Sequence, residues 1–392
     1  MELIAKGKDL MQKARFAEAE KQFQQVITTN PRSAEAMVSL ARIALLRRDI
    51  SGAQKQLSGA LKVTSNDAEA IALQGVIFMT QGKFGEAVEQ LEKAKSINPK
   101  LEMIYYNLAR SYRKLGKMDL AESAARTAID LNPKNFQAHG ELSFILNRKG
   151  KTADGIRQMA EALRVNPLFL KGYMVLGEIY KLAGKGNQAI KVYRRGLKYN
   201  PTAHVLRQQL CGLYAFKGDF KSAYREAVLL AALRNNYGDY LRLGNYALIL
   251  GLFEKAEKAF RKSIELNPES WEGHYNLGEL YSAAKLVKEA KAEYKAAIAR
   301  NATNGKPHNG LGTLALFQEN DPKEAKRRFQ TAMEMLPKNP GPVFNMALAC
   351  SASKEYSEAE KYAVAAVKLS KPATPIAMQA EKLLETIRQM RG

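Results

Sequence analysis

Four histidines, two cysteines and a large surplus of lysine and arginine are the groups in this 392-residue chain with chemistry to offer. The histidines are His139, His204, His274 and His308. A metal site needs several ligands converging on one ion. His274 and His308 stand one structural repeat apart, about 10 Å by helix-packing distances, too far to share a metal. Cys211 and Cys350 lie far apart in no CxxC or Cys–His spacing, so they suggest neither a disulfide framework nor zinc; both fall at interior-facing positions. The string "GKGNQ" at 184–188 lacks the preceding strand and the spacing of a phosphate loop, so it reads as a turn. Carboxylates alternate with lysines, as in "FEKAEKAFRKSIE", the pattern of a solvated helix face. No nucleophile with a base, metal cluster or phosphate cradle is visible. The expectation is a non-enzyme with no catalytic residue, no metal and no cofactor.

The surplus of cations is the stronger signal. The formal charge is +22, and residues 101–200 alone carry 18 basic against 8 acidic side chains. Such a bias favours an acidic partner, whether protein, nucleic acid or anionic membrane surface, against the plainer reading of a soluble basic surface. With 46% hydrophobic and 26% charged residues the chain should fold. It contains no run of about 18 apolar residues that would span a membrane. The opening "MELIAKGKDLMQKARFAEAEKQF" lacks the apolar core of a signal peptide. The expected location is cytoplasmic.

The elements that would position these groups repeat every 34 residues. Asn-Pro recurs at 30–31, 98–99, 132–133, 166–167 and 200–201. Proline cannot continue a helix, and the residue before it is pushed out of helical geometry, so each pair should end one helical hairpin and begin the next. Between these marks, Tyr105-x2-Leu108-Ala109-x2-Tyr112 recurs as Tyr173-x2-Leu176-Gly177-x2-Tyr180 and as His274-x2-Leu277-Gly278-x2-Tyr281. Spacings of three, four and seven put these side chains on one face of a first helix. Ala19-x3-Phe23, Ala189-x3-Tyr193, Ala256-x3-Phe260 and Ala290-x3-Tyr294 mark a second helix whose small residue allows close approach. The turns between them, "QGKF", "LGKM" and "KGDF", carry a glycine able to close a helix in the left-handed conformation.

This pattern resembles the tetratricopeptide repeat. Eleven repeats begin near residues 1, 34, 68, 102, 136, 170, 204, 237, 271, 305 and 340. The resemblance implies an all-α fold, a right-handed superhelical solenoid of antiparallel helix hairpins over residues 1–373. Residues 374–392 read as a C-terminal capping helix with Ile376, Ala380, Leu383, Ile387 and Met390 on its covered face. His139, His274 and His308 take the fourth position of their repeats, which packs against the preceding hairpin. Repeat 7 is one residue short and ends "LRNNYGDY", repeat 9 ends "NATNGKPH", and repeat 10 has an extra residue in "QENDPKEA". A change of pitch is expected near 234–240, and a hinge between 236 and 237 is the less favoured reading of the same irregularity.

In the family, first helices line a concave groove that takes peptides or protein segments, through positions 2, 5, 6, 9, 12 and 13. Carried over residue by residue, repeats 2 and 3 supply an apolar stretch of Val38, Leu45, Leu46, Val76 and Met79. Repeats 4 to 6 supply Tyr106, Asn107, Arg110, Arg113, Lys114, Phe144, Asn147, Arg148, Lys171, Met174 and Lys181. Repeats 7 to 9 supply Gln209, Arg242, Asn245, Tyr275 and Asn276. Asn107, Asn276 and Asn345 share position 6, too sparse for the asparagine ladder of some members. No repeat has the Lys and Asn pair of the clamp that grips a chaperone's C-terminal carboxylate.

The basic stretch suits carboxylates or phosphates, because guanidinium offers a planar fork, and the apolar stretch suits hydrophobic anchors. Some of these residues could instead pack between neighbouring helices. The leading expectation is a scaffold or adaptor that binds an acidic or amphipathic segment of a partner protein. The alternatives are nucleic-acid binding, with Tyr106 and Phe144 stacking on bases, and a structural subunit that assembles through its convex face. Exposed Trp271, with Tyr224 and Tyr240, would serve such assembly.

Overall fold

The computed structural model describes residues 2–391, and 23 α-helices and no strands lie among them. The chain divides into two compact units, residues 1–201 and 202–392. The first holds α1 (Glu2–Gln12), α2 (Phe16–Thr29), α3 (Ala34–Leu46), α4 (Ile50–Val63), α5 (Ala68–Thr80), α6 (Phe84–Ile97), α7 (Glu102–Lys114), α8 (Met118–Leu131), α9 (Phe136–Arg148), α10 (Thr152–Val165), α11 (Leu170–Leu182) and α12 (Gly186–Tyr199). The second holds α13 (His204–Phe216), α14 (Phe220–Arg234), α15 (Tyr237–Ile249), α16 (Phe253–Leu266), α17 (Trp271–Ala283), α18 (Val287–Arg300), α19 (Gly305–Phe317), α20 (Pro322–Met335), α21 (Pro340–Ala352), α22 (Tyr356–Leu369) and α23 (Pro375–Arg391). Within each unit every odd-numbered helix pairs with the even-numbered helix after it, and that second helix packs on the next first helix. α23 instead packs on both α22 and α21.

The Asn-Pro pairs act through both residues. Asn30, Asn98, Asn132 and Asn166 each sit just past the end of a second helix, where the backbone N–H still reaches the carbonyl four residues back. Each side-chain Oδ1 then accepts the N–H two residues on, at 3.0–3.2 Å. This local bond turns the chain while proline blocks further helix. Six hairpin turns place a glycine at positive φ, such as Gly82 (+77°) and Gly218 (+76°).

The core is set by a size match between two positions. Where the second helix presents an aromatic ring, the first helix has glycine opposite it: Gly7 faces Phe23, Gly177 faces Tyr193, Gly244 faces Phe260, Gly278 faces Tyr294 and Gly312 faces Phe329. Where the first helix has a larger residue, the second shrinks, as in Ala41 with Leu57, Ala109 with Ala125 and Cys211 with Ala227, all buried. The two backbones therefore stay close along each unit, as interior packing density demands.

The irregular junction near 234–240 is not where the chain divides. α14 packs directly on α15 within one unit, and the division falls at Pro201. Repeat 7 absorbs its irregularity locally: α14 runs one residue longer than most second helices, Asn235 ends it at φ +44°, and Asn236 caps α15. On α23, Ala380 and Ile387 are buried, but Met390, expected on the covered face, is exposed.

Candidate functional site

In the first unit, α7, α9 and α11 line a cleft of about 520 Å³. Tyr106, Arg113 and Lys114 come from α7, Phe136, Gln137, Glu141 and Phe144 from α9, and Lys171 and Val175 from α11. A second cleft of about 260 Å³ lies between α5, the start of α6 and α7, lined by Val76, Met79, Thr80, Phe84 and Arg110. Arg113 and Lys114 line both clefts, so the two adjoin.

Cations and rings are paired throughout this surface. The Arg113 guanidinium lies 4.6 Å from the Phe144 ring centre, and Arg148 lies 5.7 Å from the same ring. Arg110 stands 5.5 Å from the ring of Tyr106, and Lys114 stands 6.0 Å from that of Phe84. Such contacts hold long flexible side chains at a defined place on the ring faces. Burial pushes the Tyr106 phenol above its ordinary pKa, with Arg110 opposing the shift.

The cations are not equally available. Arg113 Nε donates to the Glu141 carboxylate, and the two side chains are only 18% and 13% exposed, so this guanidinium is already committed. Lys181 is paired with Glu178 at 2.9 Å. Among the described residues no carboxylate lies within 4.0 Å of Arg110, Lys114, Arg148 or Lys171. This surface thus presents four cations without a carboxylate at ion-pair distance, three of which, Arg110, Lys114 and Arg148, lie against aromatic rings. Met174 is exposed nearby on α11, and Asn147 is half-buried beside Arg148.

Several expected groove residues are elsewhere. Asn107 is 5% exposed, and its Nδ2 donates to the Met103 carbonyl at 2.9 Å, so its amide is turned back onto its own helix. Asn345 is likewise occupied, donating to Asn309 Oδ1 at 3.0 Å. Val38 and Met79 are buried in core clusters, Leu45 and Val76 are half-buried, and Leu46 alone of this set is exposed. The N-terminal cleft, about 880 Å³, is not the apolar stretch expected. Besides Met11, Phe16, Val38 and Leu46 it is lined by Glu35, Arg42, Asp67 and Glu69, with ion pairs Lys8–Glu35 and Arg42–Glu69 joining successive first helices.

In the second unit Arg242 lies 4.0 Å from Asp239, Asn245 is exposed, and Gln209 and Asn276 are half-buried. Tyr275 sits 6.0 Å from both the Trp271 and the Tyr294 rings, and burial pushes its phenol far above its ordinary pKa. Trp271, expected to be exposed, is half-buried with Lys306 over its ring at 5.9 Å; Tyr224 and Tyr240 are half-buried too.

Glu141, Phe84, Phe136, Gln137, Val175 and Thr80 are lining residues of the two clefts that pattern reading missed. Glu141 stands at position 6 of its repeat and could have been noticed there. Phe84 opens a second helix, outside the positions scanned, and Phe136 lies at the start of its repeat with its ring 5.0 Å from Phe169, edge-on.

Three of the four histidines serve packing. His139 is buried between Gln158 Oε1 at 2.8 Å and the Pro133 carbonyl at 3.0 Å, and His274 Nδ1 meets Glu293 at 2.6 Å. Burial, with Arg328 and Arg327 nearby, lowers the pKa of His308, while His204 is exposed. Among the described residues no three His, Cys, Asp or Glu side chains are grouped to hold a metal ion. Cys211 and Cys350 are free and buried, and burial pushes the Cys211 thiol up to about 12. No helix among the described residues is long and apolar enough to cross a membrane.

Sequence models described as tetratricopeptide repeat match residues 10–77, 104–135, 170–202, 241–305 and 316–370, and one described as TPR repeat matches 75–116. The type IV pilus assembly protein PilF of Pseudomonas aeruginosa is 25% identical over 146 residues, which is 37% of this chain and 58% of that protein. Anaphase-promoting complex subunit 3 of Dictyostelium discoideum is 40% identical over 63 residues, 16% of this chain and 6% of that protein. The chain therefore spans less than two thirds of either relative. Among solved structures, the C-terminal part of a TPR repeat-containing protein from Cytophaga hutchinsonii superposes with a TM-score of 0.52 at 22% identity, covering 61% of this chain and 98% of that one. That likeness concerns the fold alone. With matches to one kind of repeat from residue 10 to residue 370, on hairpins that stack in register within each unit, the chain belongs to the tetratricopeptide repeat family, whose members typically act as protein-interaction scaffolds.

Proposed function

We propose that the chain is a non-catalytic adaptor whose first-unit groove binds an acidic or amphipathic segment of a partner protein. The observation that carries this reading is the set of four cations without carboxylate partners: Arg110, Lys114 and Arg148, placed against Tyr106, Phe84 and Phe144, and Lys171, which lines the same cleft as Tyr106 and Phe144. Guanidinium held on a ring face is partly dehydrated and oriented, so a carboxylate meets a preorganised donor. Val76 and Val175 supply apolar contact on either side of the cations. A segment with carboxylates interleaved among apolar side chains matches both. Single-stranded nucleic acid matches less well, because the rings on which bases would stack already carry guanidinium groups. In the same reading residues 374–392 cap the last hairpin, supported by the burial of Ala380 and Ile387 against α21 and α22.

The test is affinity capture from nuclease-treated lysate, comparing wild type with an Arg110→Glu/Lys114→Glu/Arg148→Glu variant that keeps its helical circular dichroism. Proteins retained by wild type at low salt and lost both at high salt and by the variant are the expected result. Capture of nucleic acid alone before nuclease, and of nothing after it, replaces the adaptor with the nucleic-acid reading. An identical protein set from both forms rejects this groove as the binding surface.

A further inference from the structure

The outer face of α14 differs from every other second helix. Val228 and Leu229 are 39% and 46% exposed in mid-helix, and Ala232 and Leu233, the latter 44% exposed, continue the apolar surface into the last turn. Elsewhere among the described second helices, exposed large apolar side chains stand at or near the ends, as at Val63, Ile97, Leu120, Leu131, Phe253 and Leu369. At 100° per residue, Lys221, Arg225, Val228 and Ala232 share one stripe, with Leu229 and Leu233 along its flank. Tyr237, at the start of α15, is exposed just beyond it.

Charge runs along this stripe lengthwise. Lys221 and Arg225 occupy its first half, exposed and, among the described residues, without a carboxylate at ion-pair distance, and the aliphatic side chains occupy its second half. Arg234 is not part of the pattern, being bonded to Asp239 at 3.2 Å.

We infer that this face is a docking site for a short amphipathic helix of a partner protein, acidic in its first two turns and apolar in its last two, lying parallel to α14. The orientation follows from the charges. Carboxylates stabilise the partner's own N-terminal turns and meet Lys221 and Arg225 there. A lipid surface has no lengthwise grading and is matched by cations on both flanks of an apolar stripe, which α14 lacks. A second copy docking through the same face offers Lys221 and Arg225 no carboxylate, because the single carboxylate of α14, Glu226, is held by Arg207 at 2.9 Å. The handful of side chains in this patch is far fewer than the roughly 20–30 residues a side of a stable complex, so the contact is weak and reversible.

The probe is a labelled 16-residue synthetic helix with Glu in its first two turns and Leu on the same face of its last two. Its binding to the full chain is read by fluorescence anisotropy. The chain carries the Arg110→Glu/Lys114→Glu/Arg148→Glu substitutions, so that the groove proposed above does not contribute. Saturable binding is expected, weakened about tenfold by Leu229→Lys/Leu233→Lys and by Lys221→Glu/Arg225→Glu, with the second variant also losing salt dependence. Leu229→Ala/Leu233→Ala, the milder truncation, should weaken binding while leaving the melting transition in place. The site is refuted by equal binding to all variants, or by no saturable binding up to about 1 mM peptide. It is also refuted if the same residues control binding to phosphatidylserine vesicles or self-association in sedimentation while the peptide is ignored.

Discussion

The size match between first and second helices can be tested at Gly244 and Phe260. A β-carbon added at Gly244 would lie 2.3 Å from Phe260 Cε1 and 2.5 Å from its Cδ1, about 1 Å inside ordinary contact. Phe260 is fully buried and has nowhere to turn. Overpacking of this kind costs about 1–3 kcal/mol, while Gly→Ala in a helix interior returns up to about 1 kcal/mol. Gly244→Ala should therefore destabilise by about 1–2 kcal/mol. Phe260→Leu alone leaves a gap and costs on the order of 1–2 kcal/mol. The double variant recreates the Ala41 and Leu57 combination that this protein already buries in its second hairpin. It should be no less stable than Phe260→Leu alone, a coupling of at least about 1 kcal/mol. Urea unfolding of the four proteins, followed by circular dichroism, measures it. Additive single effects, within about 0.5 kcal/mol, would refute the idea that the two positions share one volume.

Other outcomes follow from the turns, the ion pairs and the groove. Lys285 and Lys354 hold positive φ (+60° and +63°) where six other turns have glycine; replacing either with glycine should stabilise by about 0.5–1 kcal/mol in thermal or urea melts. Hydrogen bonds from Lys149 and then Arg126 hold the Glu122 carboxyl at about 2, against burial and below its ordinary 4.5. A depressed carboxyl pKa stabilises the fold above pH 4.5 and loses that contribution as pH falls from there through about 2. Glu122→Gln should therefore flatten the acid limb of a stability–pH curve, and an unchanged limb would show that Glu122 does not drive it. Glu141→Gln removes the carboxylate that occupies Arg113, so an acidic groove ligand should bind several-fold more tightly while the chain melts lower. Equal affinity in titration would show that Arg113 does not reach the ligand.

Much of the architecture was legible before any coordinates. Asn-Pro spacing and the Tyr-x2-Leu-x3-Tyr faces located the hairpins because helix termination and amphipathic period are local properties, set within a few residues. The first helices of repeats 2 to 11 begin at the residues where the pattern placed them, from Ala34 to Pro340. The basic character of repeats 4 to 6 was equally plain, since charge needs only counting. Which cations are free was not. Arg113 and Arg110 look alike in sequence, three residues apart on one helix, yet Glu141 reaches only the first from a helix one repeat away. Asn107 shares its repeat position with half-buried Asn276 but turns back to bond its own helix. The tempering of the N-terminal cleft by Lys8–Glu35 and Arg42–Glu69 likewise needed partners 27 residues distant. Sequence by itself determined the repeat, the helices and the sign of the charge, because each is settled by near neighbours along the chain. Only the tertiary structure decided which side chains remain available to a partner, because availability is what is left after residues from neighbouring repeats have claimed their own hydrogen bonds, ion pairs and burial.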